Sequence, residues 1–260
     1  MMRRVLNRGL SGLLLMPLII LIMLSLARHW PWPALLPIRW QIQQWQALFS
    51  HSTNLSSVLL SSLGLSAAVA VLATILGFPS SRSVARHARQ GPLLALLHLP
   101  FAVSPLVLGV SLLYIFLKLR LAGHFTGVLL AQLIFAYAYA IILLSGFWST
   151  RVMMLEELAT SLGASRGQVW MRVILPLARP LLPVCLLQTF LISWFDYPLT
   201  LLIGRGQVTT LTVSLYQYFS SGDIRLAATC ALLLLAPPLV ALRINRRWLS
   251  APIAARLVDP

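Results

Sequence analysis

The stretch TRVMMLEELATSLGASRGQVWMRVILPLARPLLP, residues 150–183, decides the reading of this chain. It is a polar segment between apolar runs, and it holds both glutamates of the protein, Glu156 and Glu157, with Arg151, Arg166, Arg172 and Arg179. Leu155, Leu158, Ala159 and Leu162 recur at i, i+3, i+4 and i+7, which predicts a short helix with one apolar face. Gly163 and Ala164 follow, and glycine just past the last periodic residue suits a left-handed helix cap. Ser165 with Gln168 forms a capping-box pattern that opens a second helix, lined by Val169, Trp170, Val173 and Ile174. Pro176 is expected to stop or kink it.

Working outward, the runs on either side are apolar over many residues. The chain is 59% hydrophobic and 10% charged, against roughly 25% charged in a soluble domain. That excludes an ordinary water-soluble fold and predicts an all-α, polytopic membrane protein. Period-two strands of the outer-membrane kind are not seen. The net charge of +15 sits in short loops between apolar runs, with no basic stretch interleaved with aromatics on a polar surface. It therefore points to membrane orientation and contact with anionic lipid, not to nucleic acid.

Glu157-Leu158-Ala159, three residues, Gly163, nine residues, then Val173-Ile174-Leu175-Pro176 resembles the EAA loop of bacterial ABC-importer permeases of type I. Leu158 stands at the second position of the E-A-A triplet, where the family has alanine, and Val173 where it has isoleucine; both keep an apolar residue on the same face. The match spans 20 positions, residues 157–176. The resemblance implies a transmembrane permease subunit that forms half of a solute pathway. It implies that residues 150–180, including Glu156, Glu157, Leu158, Ala159, Leu162, Gly163, Ala164, Val173, Leu175 and Pro176, couple the spans to a cytoplasmic ATPase. The implied partners are two ATP-binding subunits, a second identical or homologous permease, and a periplasmic solute-binding protein. ATP and magnesium would belong to the partner ATPase, with no cofactor in this chain. The plainer alternative for the loop is a helix pair lying on the bilayer surface.

Six spans are expected. Leu10–Ala27 follows a basic start with Arg3, Arg4 and Arg8, and the absence of a small-x-small cleavage site predicts an uncleaved first span. The segment 28–55 carries Trp30, Trp32, Trp40 and Trp45, which suit a membrane–water interface. Ser56–Phe78 is the second span, rich in small residues that permit close helix approach. Leu93–Leu117 is a third span kinked by Pro100 and Pro105. Gly127–Trp148 is the fourth, Leu181–Ile203 the fifth, and Leu226–Leu242 a sixth interrupted at Pro237 and Pro238. Residues 204–225 read as a polar loop. The organisation is thus an N-terminal span and periplasmic segment (1–54), a transport core (55–245) and a tail (246–260).

With the N-terminus inside, the four inner segments hold 14 of the 20 Lys and Arg residues. This positive-inside bias predicts a bacterial inner-membrane protein with both termini cytoplasmic, and it places the EAA-like loop on the ATP side. Cys185 and Cys230 lie in apolar runs and read as buried small side chains. No phosphate-cradling glycine loop and no metal-ligand spacing is present, so no catalytic or metal site is predicted and the chain does not read as an enzyme.

Asp196 is the one carboxylate inside the fifth span. Such a charge costs roughly 2.5–3.5 kcal/mol in a helix centre on insertion scales. Gln188, Ser193, Asp196 and Tyr197 are therefore candidates to border a translocation pathway. The alternative is that Asp196 pairs with an arginine or caps a helix broken at Pro198. An intramembrane aspartate beside aromatics suits a small organic cation, and Ser193–Tyr197 resembles spermidine/putrescine-type permeases; thiamine is a second cation of that kind. Iron(III), molybdate and sulfate importers share the same loop. A stand-alone ion-coupled secondary transporter is the rival function, and it would bring a repeat with charges in both halves.

Overall fold

The computed structural model describes residues 16–29, 37, 39–40, 45, 55–86 and 91–249. The basic N-terminus, Trp30, Trp32 and the tail beyond Leu249 lie outside the described residues. Long apolar runs give helices: α1 (Met16–Leu26), α2 (Leu55–Arg86), α3 (Gly91–Ala102), α4 (Pro105–Lys118) and α5 (Phe125–Ser145). The polar stretch supplies α6 (Thr150–Ser161) and α7 (Arg166–Ala178). The remainder forms α8 (Leu182–Trp194), α9 (Pro198–Gly204), α10 (Leu211–Ser220) and α11 (Ile224–Leu249). After α1 a short antiparallel ladder pairs β1 (Ala27–His29) with β2 (Arg39–Trp40), a piece of strand within the segment expected only to anchor at an interface.

Among the described residues α2 and α5 are each long and apolar enough to cross a membrane. Two bent pairs, α3 with α4 and α7 with α8, pass the same test of length and apolarity only when each pair is taken together, as a broken span or a re-entrant loop, and α1 and Ile224–Val240 are shorter apolar helices. The chain is therefore a polytopic helical membrane protein, as the composition requires.

Several boundaries differ from expectation for identifiable reasons. The third span is bent by 100° at Val103–Ser104, a sharper break than a kink, because Pro105 opens α4 at a position where its missing N–H costs nothing. The fifth span is not one helix but α8 and α9, parted at Phe195–Tyr197. Pro237 and Pro238 do not interrupt α11, which runs through both. Pro79 likewise lies inside α2, which continues to Arg86 through part of the expected basic loop. The 204–225 loop contains α10.

The chain divides into two units, Met1–Ser62 with Thr209–Leu239 and Leu63–Val208 with Val240–Pro260. In the first, Ser25 bonds Thr229 at 3.1 Å and receives the Trp45 indole N–H at 2.9 Å. The Leu211 amide at the start of α10 donates to Ser62 at 2.7 Å.

In the second unit α5 is the central element, packed against α3, α8 and α9. Its buried face is alanine-rich: Ala131, Ala136, Ala138 and Ala140. Small residues matter here because helices in lipid associate by close van der Waals contact. Gly77 of α2 meets α5 so closely that an added Cβ would lie 2.7 Å from Ala140 Cβ. One core cluster runs from Val69 and Ala73 through Leu144 and Trp148 to Val152, Ile174 and Cys185, so the α6–α7 pair is continuous with the packing of the spans. Cys185 and Cys230 are buried free thiols.

Candidate coupling loop and intramembrane polar cluster

Local sequence builds the α6–α7 turn as its motifs predict. Gly163 has φ +84°, in the left-handed region that favours glycine. Ser165 accepts the Gln168 amide at 3.4 Å and its own amide donates to Gln168 Oε1 at 2.9 Å, completing the capping box. Pro176 does not end the second helix. Trp170–Ile174 widen into a π turn, with the Leu175 amide bonding Trp170 O, and the helix passes Pro176 to reach Ala178. The wider turn relieves the clash between the proline ring and the preceding carbonyls.

The apolar face of α6 does not turn inward. Val152 and Glu156 are buried, whereas Leu155, Leu158 and Leu162 are exposed, the last at 80%. Glu156 is held from below. Both of its oxygens meet Arg82 of α2, Nε at 3.1 Å from Oε2 and Nη2 against Oε1, with Arg86 Nη2 at 3.5 Å. Glu157, one residue on, is exposed. Arg82, Arg86, Glu156, Glu157, Thr160, Ser161, Arg166, Val169 and Trp170 line an open cleft at this junction.

Aromatic rings bind the loop to the spans. Trp148 stacks on Phe78 with centroids 5.6 Å apart, and Trp170 meets Phe78 edge-on at 5.4 Å. Such pairs contribute about 0.5–1.5 kcal/mol each beyond their buried area. The Trp148 indole donates to Ser81 at 2.8 Å, and Tyr137 donates to Ser80 at 2.8 Å. Of the loop residues singled out, Ala159 and Ala164 are half-buried against the core cluster. Val173 and Pro176 are half-buried and Leu175 is exposed.

The candidate pathway residues do not form one group. Gln188 is exposed on α8. Ser193 is buried and donates to Gln132 Oε1 at 2.5 Å, with Ser66 Oγ 3.2 Å away. Asp196 and Tyr197 occupy the α8–α9 break. Asp196 Oδ2 accepts the Thr200 amide at 3.0 Å, the Thr200 hydroxyl at 2.9 Å and Gln132 Nε2 at 3.1 Å. That is the geometry of a helix cap at a break preceding Pro198. Gln132 also donates to Thr200 Oγ1 at 2.9 Å. Sequence reasoning missed Gln132; the signal was present, since it is the one amide side chain in α5 and a buried amide in lipid needs partners. Asp223 plays a parallel part, accepting the Leu226 amide at 3.1 Å at the start of α11.

Apolar helices that pack through small residues, with a capped helix pair between late spans turning its leucines outward, make this a polytopic helical membrane protein. The chain belongs to the family described as binding-protein-dependent transport system inner membrane component, whose family model matches residues 71–253. It is 31% identical over 222 residues to the molybdenum transport system permease protein ModB of Mycobacterium tuberculosis, covering 78% of this chain and 84% of the relative. It is 32% identical over 173 residues to the trehalose transport system permease protein SugB of the same species, covering 65% and 62%. It is 26% identical over 208 residues to the spermidine/putrescine transport system permease protein PotC of Escherichia coli, covering 76% and 77%. The protein is thus an inner-membrane permease subunit of an ABC importer, a transport component and not an enzyme. That assignment displaces the stand-alone secondary transporter.

Proposed function

We propose that α6 is the element through which two ATP-binding subunits drive this permease, and that residues 150–180 act as its coupling loop. The observation that carries the reading is the outward apolar stripe Leu155, Leu158 and Leu162 on a helix that is capped at Gly163 and tied to α2 through Glu156. An amphipathic helix with its apolar face unburied in its own chain fits a groove on a partner. In this reading the loop is cytoplasmic, as are both termini, and ATP and magnesium bind only in the partner subunits. A second permease, identical or homologous, completes the pathway, and a periplasmic binding protein delivers solute.

The cargo does not follow from Asp196. That carboxylate beside aromatics would suit a small organic cation such as a polyamine or thiamine, yet its Oδ2 already accepts three bonds from this chain. The geometry favours capping over solute contact, and the relatives carry the names of molybdenum, trehalose and spermidine/putrescine systems. Solute selection is therefore assigned to the binding protein.

Purification in mild detergent from the native host, with mass spectrometry of what travels along, tests the assembly. The expected result is an ATP-binding subunit and a second permease or binding protein; the binding protein's ligand then names the cargo. A chain that runs alone, and neither binds nor responds to added ATPase, would return the loop to a helix pair on the bilayer surface.

A further inference from the structure

The two adjacent glutamates of α6 differ in their surroundings. Glu157 is exposed, whereas Glu156 is 8% exposed and both its oxygens are engaged by the guanidinium of Arg82, 74 residues away in sequence. Arg82 and Arg86 stand one helical turn apart on α2, beyond its apolar part, and both reach the same carboxylate. Residues at i and i+4 share a helix face, so this end of α2 presents a two-arginine claw. The fork between guanidinium and carboxylate fixes distance and angle together, unlike a point-charge contact. It sits beside the Phe78–Trp148–Trp170 ring cluster and the Trp148–Ser81 hydrogen bond. Helix α6 is connected through the chain only to α5 and α7, so the Arg82–Glu156 fork is a direct side-chain tie from it to α2.

We propose that the Arg82–Glu156 pair, supported by Arg86, is a latch that delivers displacement of α6 directly to the second span, while Glu157 is left for the partner. The proposal rests on the coupling reading above and adds the route that the movement takes. Glu156 and Arg82 are positioning residues in this proposal, since each acts by holding the other's helix.

The test uses the assembled transporter with its ATP-binding subunits, in nanodiscs, and needs no solute. A cysteine at the opposite end of α2, Ser56→Cys, reports on that span through its labelling rate with a membrane-impermeant maleimide, read with and without ATP and vanadate. In the parent the nucleotide state should change the labelling rate several-fold. Glu156→Gln should abolish that change while the ATP-binding subunits still co-purify and still hydrolyse ATP. Arg82→Glu alone should do the same, and Arg82→Glu combined with Glu156→Arg should recover at least half of the parental change. A merely structural role would lower subunit recovery and melting temperature in Glu156→Gln together with the response, whereas the latch predicts loss of the response at parental recovery and melting temperature. An unchanged nucleotide response in Glu156→Gln, or a charge-exchanged pair no better than Arg82→Glu alone, would overturn the latch. Failure of the parent itself to bind an ATPase would overturn the coupling reading and the latch with it, and the parent arm separates the two failures.

Discussion

The Gln132 side-chain amide and the Asp196 carboxylate meet 3.1 Å apart, joining α5 to the break between α8 and α9. Together with Ser66, Ser193 and Thr200 they place five polar side chains in an otherwise apolar interior. A polar network in such surroundings is stable only when its members satisfy one another. Asp196→Ala strands the donors of Gln132 and Thr200, and should cost about 1–3 kcal/mol. Asp196→Asn retains an oxygen for the Thr200 amide and should melt closer to the parent in detergent. Equal transport by Asp196→Asn and the parent is the expected outcome for a cap; complete loss of uptake at unchanged melting temperature would make Asp196 a solute contact.

Three glycines of the spans form a graded series. An added Cβ would lie 2.1 Å from the backbone oxygen of Leu121 at Gly127, 2.7 Å from Ala140 Cβ at Gly77, and more than 4 Å from any side chain or neighbouring helix at Gly64. Overpacking of this kind costs about 1–3 kcal/mol. Gly127→Ala should therefore destabilise most, since backbone cannot swing aside. Gly77→Ala should follow, and Gly64→Ala should be neutral or stabilising by up to about 1 kcal/mol through helix propensity. Thermal unfolding of the three purified variants ranks them; Gly77→Ala or Gly127→Ala variants as stable as Gly64→Ala would contradict the α2–α5 and Leu121–Gly127 contacts.

Gly163 isolates backbone from side-chain effects. No atom lies within 4 Å of an added Cβ there, yet φ is +84°, so Gly163→Ala should lose about 1–2 kcal/mol from the left-handed conformation alone. Gly163→Asn should lose less. Gly163→Asp should leave the chain inserted while transport uncouples from ATP hydrolysis, because its side chain projects where a docked partner would sit. Unchanged uptake by that variant would count against docking at this turn.

The parts of this structure that were legible in the sequence are those fixed by neighbours in the chain. The Ser165–Gln168 box and the left-handed Gly163 are local, and both stand where the pattern put them. The prolines misled for the opposite reason. Pro176 is absorbed by a π turn upstream, and Pro237 and Pro238 sit within a continuous helix; in a membrane the surroundings can re-satisfy the backbone groups a proline frees. Periodicity identified the apolar stripe of α6 but could not say whether its own chain covers it. Nor could it show that Glu156, and not Glu157, turns inward, since that depends on Arg82 of a distant helix. The break after Trp194 was half-visible, with Pro198 marking it and Asp196 offering a cap; Gln132, the partner that completes the cluster, lay unremarked in an apolar run.

The most direct test of the account is association of the ATP-binding subunits with a chain carrying Leu158→Asp and Leu162→Asp. These side chains are 58% and 80% exposed, so the substitutions should change stability by no more than about 0.5 kcal/mol each. The account predicts an inserted chain of parental melting temperature that no longer retains the ATP-binding subunits through purification. Retention equal to the parent, at equal stability, would contradict α6 as the docking element.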